Sequence, residues 1–84
     1  MPTLPLPPTL PFDKELDAAG LACPLPIVKT KKALTAMARG QVLRVIATDP
    51  GSVPDMTAFA EQTGHKLLGS GEVDERFVYY LERA

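Results

Sequence analysis

The amino-acid sequence predicts a two-layer α/β sandwich, in which two helices cover one face of a mixed four-stranded sheet and the other face stays open. The first observation is the segment order β-α-β-α-β-β, because helical crossovers between strands place both helices on one side of a sheet. The second is the length of 84 residues with 45% hydrophobic residues, which suits one small domain with a real core.

The first eleven residues carry five of the nine prolines and no charged side chain. Proline fixes φ and cannot donate a backbone hydrogen bond, so residues 1–11 are predicted to form a flexible, extended tail. A docking role for the tail is the alternative. A single domain is predicted over residues 12–84, and its first strand over Phe12 to Ala18.

A helix is predicted from Pro24 to Arg39, ended by Gly40. Its apolar face comprises Ile27, Leu34, Met37 and Ala38, with Thr30 or Lys31 filling the gap. The next strand, Gln41 to Thr48, has apolar side chains on both faces, which predicts a central position in the sheet.

A second helix is predicted from about Val53 to Thr63. Ser52 is a favoured N-cap residue, Asp55 completes a capping box, and Gly64 ends the helix. Its predicted inner stripe comprises Met56, Phe59, Ala60 and Thr63.

Two strands, Lys66 to Val73 and Arg76 to Arg83, are predicted to form a hairpin with a tight turn at Asp74-Glu75. Gly69 and Gly71 interrupt the first of these strands, which indicates a bulge or a close backbone approach.

The composition excludes several function classes. One cysteine and one histidine cannot form an internal disulfide framework or a usual metal site, so no metal is expected. An organic cofactor is not implied either. A net charge of −1 argues against direct nucleic-acid binding. No apolar stretch approaches the roughly 18 residues of a membrane span, no signal peptide is evident, and a cytoplasmic protein is expected.

Cys23 lies at or just before the start of the first predicted helix, between Gly20 and the prolines Pro24 and Pro26. Unpaired amides and the positive end of the helix dipole are expected to lower the pKa of its thiol. The prolines are expected to hold the turn stiff. The alternative is a small buried apolar cysteine, the commoner fate of a lone cysteine.

Charge is unevenly distributed along the chain: residues 18–48 contain five basic residues and no acid, and residues 49–84 contain seven acids and three bases. Lys29, Lys32 and Arg39 are therefore either a partner-docking surface near the thiol or an ordinary solvated helix face. Asp17 and Asp49 either order loops near Cys23 or simply cap turns.

The segment Leu16-Asp17-Ala18-Ala19-Gly20-Leu21-Ala22-Cys23-Pro24-Leu25-Pro26 resembles the signature of the TusA, or SirA-like, family of sulfur-carrier proteins, whose mark is C-P-x-P after a G-L-x step. The resemblance spans residues 12–84. It implies the β-α-β-α-β-β two-layer fold and a sulfurtransferase role. In that role Cys23 accepts sulfane sulfur as a persulfide, and Gly20, Leu21, Pro24 and Pro26 shape the site.

The resemblance also implies a cysteine desulfurase or rhodanese as sulfur donor and a downstream protein as acceptor. Leu25 occupies the variable motif position, where tRNA-thiolating members carry an acidic residue. Sulfur oxidation and cofactor sulfur supply therefore stay open beside tRNA thiolation. A rival hypothesis is a non-catalytic interaction or regulatory domain that uses the open sheet face. A small RNA-binding module is the weakest of the three.

Overall fold

The computed structural model of the chain describes residues 10–84, so the predicted tail lies outside the described residues except for Leu10 and Pro11. The element order is β-α-β-α-β-β, as predicted. The elements are β1 (Lys14–Ala18), α1 (Leu25–Thr35), β2 (Val42–Ala47), α2 (Ser52–Thr63), β3 (Lys66–Val73) and β4 (Arg76–Glu82). None of the helices within residues 10–84 has the length and apolarity needed to cross a membrane.

The four strands form one mixed sheet in the order β1-β2-β4-β3. β1 pairs with β2 in parallel, with Leu16 opposite Val45, and β4 pairs antiparallel with both β2 and β3. The predicted central position of β2 is therefore confirmed, as is the fold class. Because β1 and β2 are parallel, the loops that follow them lie at the same end of the sheet.

The hydrophobic core lies between the sheet and the two helices. Its buried members include Ala18, Leu34, Met37, Leu43, Val45, Ala47, Met56, Phe59, Ala60, Phe77, Tyr79 and Leu81. On the face of the sheet away from the core, the Arg44 guanidinium lies 5.9 Å from the Tyr80 ring centre and 5.7 Å from that of Phe12. Val78 and Tyr80 are buried as well, so the predicted open face exposes little of β4.

The first helix is shorter than predicted, because it ends at Thr35 rather than Arg39. After Ala36 the Met37 amide donates to the Leu34 carbonyl, and the Ala38 amide donates to the Gln41 side chain, so the chain turns away in tight steps. Gly40, at φ 82°, serves this later turn and not the helix end. Ala38, predicted to be on the apolar face, is exposed.

Thr30, and not Lys31, fills the gap in the apolar face of α1. Its side chain is fully buried, and its hydroxyl donates to the Pro26 carbonyl over 2.7 Å. Lys31 is exposed. An internal hydrogen bond of this kind satisfies a hydroxyl that burial would otherwise leave without a partner.

The predicted N-cap role of Ser52 is wrong. Gly51 occupies the N-cap position of α2, and Ser52 is the first helical residue. The Ser52 side chain points into the core, where its hydroxyl shares a 2.8 Å hydrogen bond with the Tyr79 hydroxyl. Gly64 ends the helix with a left-handed φ of 81°, as predicted, whereas Thr63 is exposed and not part of the inner stripe.

The predicted hairpin and its turn are confirmed. Asp74 and Glu75 both have positive φ values, of 50° and 62°, as a two-residue turn of type I′ requires. The pairing register of β3 shifts between Leu67 and Gly69, which is the predicted bulge.

Candidate functional site

Cys23 lies in the loop between β1 and α1, at the end of the sheet where β1 and β2 both finish. The loop between β2 and α2 runs beside it. The site is built from these two loops, which are more than twenty residues apart in the sequence but adjacent in the fold.

Asp49 holds the two loops together. Its Oδ2 accepts the backbone N–H of Cys23 over 2.6 Å, and its Oδ1 accepts the N–H of Gly51 over 3.1 Å. The neighbouring Thr48 hydroxyl accepts the N–H of Gly20 over 2.8 Å. Of the two interpretations of Asp49 from the sequence, the structure therefore supports loop ordering next to Cys23.

Asp17 caps a turn, which is the other of the two interpretations from the sequence. Its Oδ1 accepts the N–H of Ala19 over 3.0 Å, which closes a local turn immediately after β1. This bond stays within the first loop and does not reach the second.

The Cys23 thiol is half-buried and lies against Gly51 and Asp49. A Cβ atom placed on Gly51 would stand 3.5 Å from the Cys23 sulfur and 3.6 Å from both carboxylate oxygens of Asp49. The missing side chain of Gly51 thus leaves a small open space that the sulfur and the carboxylate share.

The expected lowering of the Cys23 pKa is wrong. Burial, together with the nearby carboxyl groups of Asp55 and Asp49, raises the pKa of the Cys23 thiol from 9.0 to about 12. Burial and like charge both disfavour a thiolate. The thiol is therefore protonated at neutral pH in the free protein.

The helix start cannot offset these effects because its first turn has few free amides. Pro24, the N-cap residue, and Pro26 carry no N–H. The Leu25 amide donates to the Ala22 carbonyl, and the Ile27 amide donates to the Pro24 carbonyl. The prolines that stiffen the turn thus remove two of the donors on which thiolate stabilisation by a helix terminus depends.

Asp49 itself is held in its ionised form. The backbone N–H groups of Cys23 and Gly51 donate to its carboxylate and lower its pKa below the ordinary 3.8. A carboxylate that accepts such bonds stays charged through the neutral range and keeps its negative field on the sulfur.

The motif residues occupy distinct positions around the thiol. Gly20 adopts a φ of 80°, which its lack of a side chain permits, and Leu21 packs against the core. Pro26 is fully buried beneath the first turn of α1. Pro24 is exposed, and the peptide bond that joins it to Cys23 is cis.

A groove of about 300 Å³ runs between α1 and α2 from Pro24, the residue that follows Cys23. Asp55 lies in its wall, so one carboxylate belongs both to the groove and to the surroundings of Cys23. The groove is lined by Pro24, Ile27, Asp55, Ala58, Phe59 and Gln62.

The three basic residues predicted near the site divide into two groups. Lys29 and Lys32 are exposed on α1, three residues apart, whereas Arg39 is exposed but lies beyond the end of the helix. Leu25 and Val28 are exposed on the same side of α1, at 47% and 54%. We call the exposed face formed by Leu25, Val28, Lys29 and Lys32 the outer α1 face.

Asp55 and Gly51 were not singled out from the sequence as site residues. Asp55 enters the sequence analysis only as part of a capping box, and Gly51 does not enter it. The available signal was topological, because parallel β1 and β2 direct the starts of both helices to the same sheet edge. Within residues 10–84, no three His, Cys, Asp or Glu side chains converge as a metal site would require.

Comparison with known proteins places these features in a family. The family model described as sulfurtransferase TusA matches residues 14–83. The sulfur carrier protein TusA of Allochromatium vinosum is 58% identical over 73 residues, covering 87% of this chain and 96% of that protein. A putative sulfur carrier protein of Bacillus subtilis, YrkI, is 45% identical over 84% of this chain and 95% of its own length.

A solved structure shows the same fold. The SirA-like protein of Desulfitobacterium hafniense superimposes with a TM-score of 0.74 at 26% identity, covering 83% of this chain and 96% of that one. With the family match over nearly all described residues, the chain belongs to the TusA family of sulfurtransferases.

Proposed function

We propose that this protein is a sulfur carrier that accepts sulfane sulfur as a persulfide on Cys23 and passes it to an acceptor protein. The observation that carries the proposal is the position of the only cysteine, half-exposed on a loop that Asp49 fixes by a 2.6 Å hydrogen bond. A relay between proteins requires a reachable sulfur in a defined place. The names of the similar proteins, sulfur carrier protein, support the same role.

The proposed chemistry is thiol–persulfide exchange. The Cys23 sulfur forms a bond to the terminal sulfur of the donor persulfide, whose sulfur–sulfur bond breaks with its electron pair on the donor cysteine. The Cys23 proton ends on that donor thiolate, so thiol plus persulfide becomes persulfide plus thiol with no net oxidation. An acceptor thiolate then attacks the terminal sulfur on Cys23 in the same way.

We propose a cysteine desulfurase or a rhodanese as donor and a thiol-bearing protein as acceptor. The outer α1 face lies next to Cys23 and combines exposed apolar and basic side chains, Leu25 and Val28 with Lys29 and Lys32. Such a surface suits a partner that is apolar at its centre and acidic at its rim. Its contribution to docking is part of the proposal.

The decisive experiment compares the wild-type protein with Cys23→Ser. Each is mixed with a cysteine desulfurase and ³⁵S-labelled cysteine, and non-reducing gels are run. We expect reductant-sensitive label on the wild type and none on the variant, since no second cysteine can carry sulfur. The variant should stay folded, because Ser is nearly isosteric with Cys and its hydroxyl can donate to the nearby carboxylates.

Circular dichroism and thermal unfolding of Cys23→Ser provide the control. An unlabelled but folded wild-type protein, tested with several desulfurase and rhodanese donors, would contradict the carrier proposal. That result would favour the non-catalytic interaction domain instead.

A further inference from the structure

The Cys23 thiol faces two carboxylates that have no cationic partner among the described residues. In residues 10–84, the ion pairs join Arg44 to Glu15 and Lys66 to Glu82, both away from the site. Asp49 comes from the loop before α2, and Asp55 comes from the first turn of that helix. A half-buried sulfur with two uncompensated negative charges beside it is an unusual environment for a nucleophile.

We propose that Asp49 is a positioning residue for Cys23, and that the carboxylates of Asp49 and Asp55 make the sulfur unreactive in the free carrier until a donor protein engages it. This inference rests on the proposed function, because it concerns the same sulfur. It adds a protective effect of the two carboxylates on the sulfur, which we call the guarding role and which the carrier chemistry alone does not require.

The positioning role follows from geometry. The two oxygens of Asp49 bind two different loop segments, at the Cys23 and Gly51 amides, and no other side chain in the described structure bonds the Cys23 backbone. The loop that carries the sulfur therefore has a fixed distance from α2. A donor persulfide meets the sulfur in one orientation, and such preorganisation favours transfer.

The guarding role follows from charge. The Cys23 sulfur and both carboxylate oxygens of Asp49 border the same space at Gly51, and Asp55 lines the groove that begins at Pro24. Forming a thiolate here would add a third negative charge to a partly buried place, and both burial and like charge disfavour ionisation. The remaining titratable group beneath the site is the Tyr79 hydroxyl, which is buried, hydrogen-bonded to Ser52 and neutral in the physiological range. The Tyr79 hydroxyl therefore carries no positive charge that would offset the negative charge of the two carboxylates.

The chemical consequence is a carrier that resists side reactions between partners. The thiolate, and not the thiol, is the form that attacks alkylating agents and peroxides, so a protonated thiol survives free in solution. In the complex with a persulfide donor, the Cys23 proton leaves as the new sulfur–sulfur bond forms, and it ends on the donor thiolate. The donor must therefore weaken the field of the two carboxylates, for which a cationic side chain near its own sulfur would suffice.

The test measures iodoacetamide alkylation of Cys23 across pH in the wild type, Asp55→Asn and Asp49→Asn. Asp55→Asn removes charge alone, whereas Asp49→Asn removes charge and one of the two loop bonds. A one-unit fall in thiol pKa gives tenfold more thiolate, offset by weaker nucleophilicity, so we expect alkylation at neutral pH to rise by about threefold or more. Asp17→Asn is the matched control, since it removes an equal charge from a turn in the first loop.

The expected pattern is a profile shifted to lower pH in both site variants, a much smaller shift in Asp17→Asn, and faster amide exchange at Cys23 only in Asp49→Asn. Unchanged or slower alkylation in Asp55→Asn would overturn the guarding role, even if Asp49→Asn failed to fold. Unchanged amide exchange in a folded Asp49→Asn would overturn the positioning role. Neither the alkylation nor the amide-exchange measurement uses a sulfur donor, so failure of the positioning or guarding role can be distinguished from failure of the carrier proposal in the ³⁵S-labelling experiment.

Discussion

At the scale of the residue, the pKa of Cys23 depends on whether the helix start or the burial and acidic neighbours of the sulfur act more strongly on the thiol. The helix start offers few free amides, because Pro24 and Pro26 have none to give. Burial of the sulfur and the nearby carboxyl groups of Asp55 and Asp49 act in the opposite direction and raise the pKa of the thiol. The local sequence around Cys23 shows the helix start, but it shows neither the burial of the sulfur nor the approach of Asp49 and Asp55. The direction of the pKa shift could therefore not be predicted from the motif.

The raised pKa of Cys23 has a consequence for stability at alkaline pH. A thiol that resists ionisation in the folded state contributes stability that is fully present below its ordinary pKa of 9.0 and is lost as pH rises towards about 12. We therefore expect urea midpoints of the wild type to fall more steeply than those of Cys23→Ser between about pH 9 and about pH 12. Parallel losses in the two proteins would contradict this interpretation.

Asp49 has the opposite pH dependence. Its folded pKa is lowered by the Cys23 and Gly51 amides, so its ionised form contributes stability that is present above its ordinary pKa of 3.8. That contribution is lost as pH falls through the lower, folded value. In Asp49→Asn we expect reduced stability at neutral pH and a smaller further loss on acidification, both measured by urea unfolding. A variant with the same acid dependence as the wild type would show that the two amide bonds add nothing.

At the scale of the element, the sequence predicted the type and order of all six segments because their hydrophobic periods are clear. Element ends were less well predicted. Gly40 predicts an end of α1 at Arg39, but the helix ends at Thr35, and the chain leaves it through turns that involve the Gln41 side chain. Ser52 was a plausible cap by residue type, yet its partner, Tyr79, lies on β4. Both errors arise from tertiary contacts that local patterns do not contain.

The β3–β4 turn provides a test at this scale. Glu75 adopts a φ of 62° without being glycine, and this conformation costs a residue with a side chain roughly 1 kcal/mol. We expect Glu75→Gly to raise the free energy of unfolding by up to about 1 kcal/mol, because Gly suits the second position of a type I′ turn. Urea unfolding would measure the change.

Glu72→Gly is the matched control for that substitution. Glu72 lies within β3, opposite Phe77, where glycine is expected to lower stability by about 0.5–1 kcal/mol. A loss of stability in both variants would mean that the turn conformation is not strained.

At the scale of the whole molecule, the site exists only because parallel pairing of β1 and β2 brings two distant loops to one edge. The motif identified the sulfur and its prolines from a single stretch of chain. It could not identify Asp55 or the open space at Gly51, since these belong to the second loop. The fold therefore sets an acidic pair beside the thiol, while α1 presents basic side chains to the solvent nearby.

This arrangement assigns different tasks to the two charged groups. The acidic pair acts on the sulfur, whereas Lys29 and Lys32 are exposed on the outer α1 face, where they can attract an acidic partner surface. Charges of this kind mainly change the rate of association. Reversing both lysines to Glu should therefore slow sulfur exchange with the donor at low salt and weaken its salt dependence. Exposed substitutions usually change stability by no more than about 0.5 kcal/mol, so the fold should persist.

The control is the pair Lys14→Glu and Lys66→Glu, which changes the net charge equally. Both residues begin strands at the end of the sheet away from Cys23, because β1 and β3 run in the direction of β2. If steering by net charge alone governed association, both double variants would slow exchange to the same extent. A larger effect of the Lys29 and Lys32 reversal would locate the partner on the outer α1 face. Equal effects, or none, would leave those lysines as ordinary solvated charge and require the partner to approach the sulfur from another side.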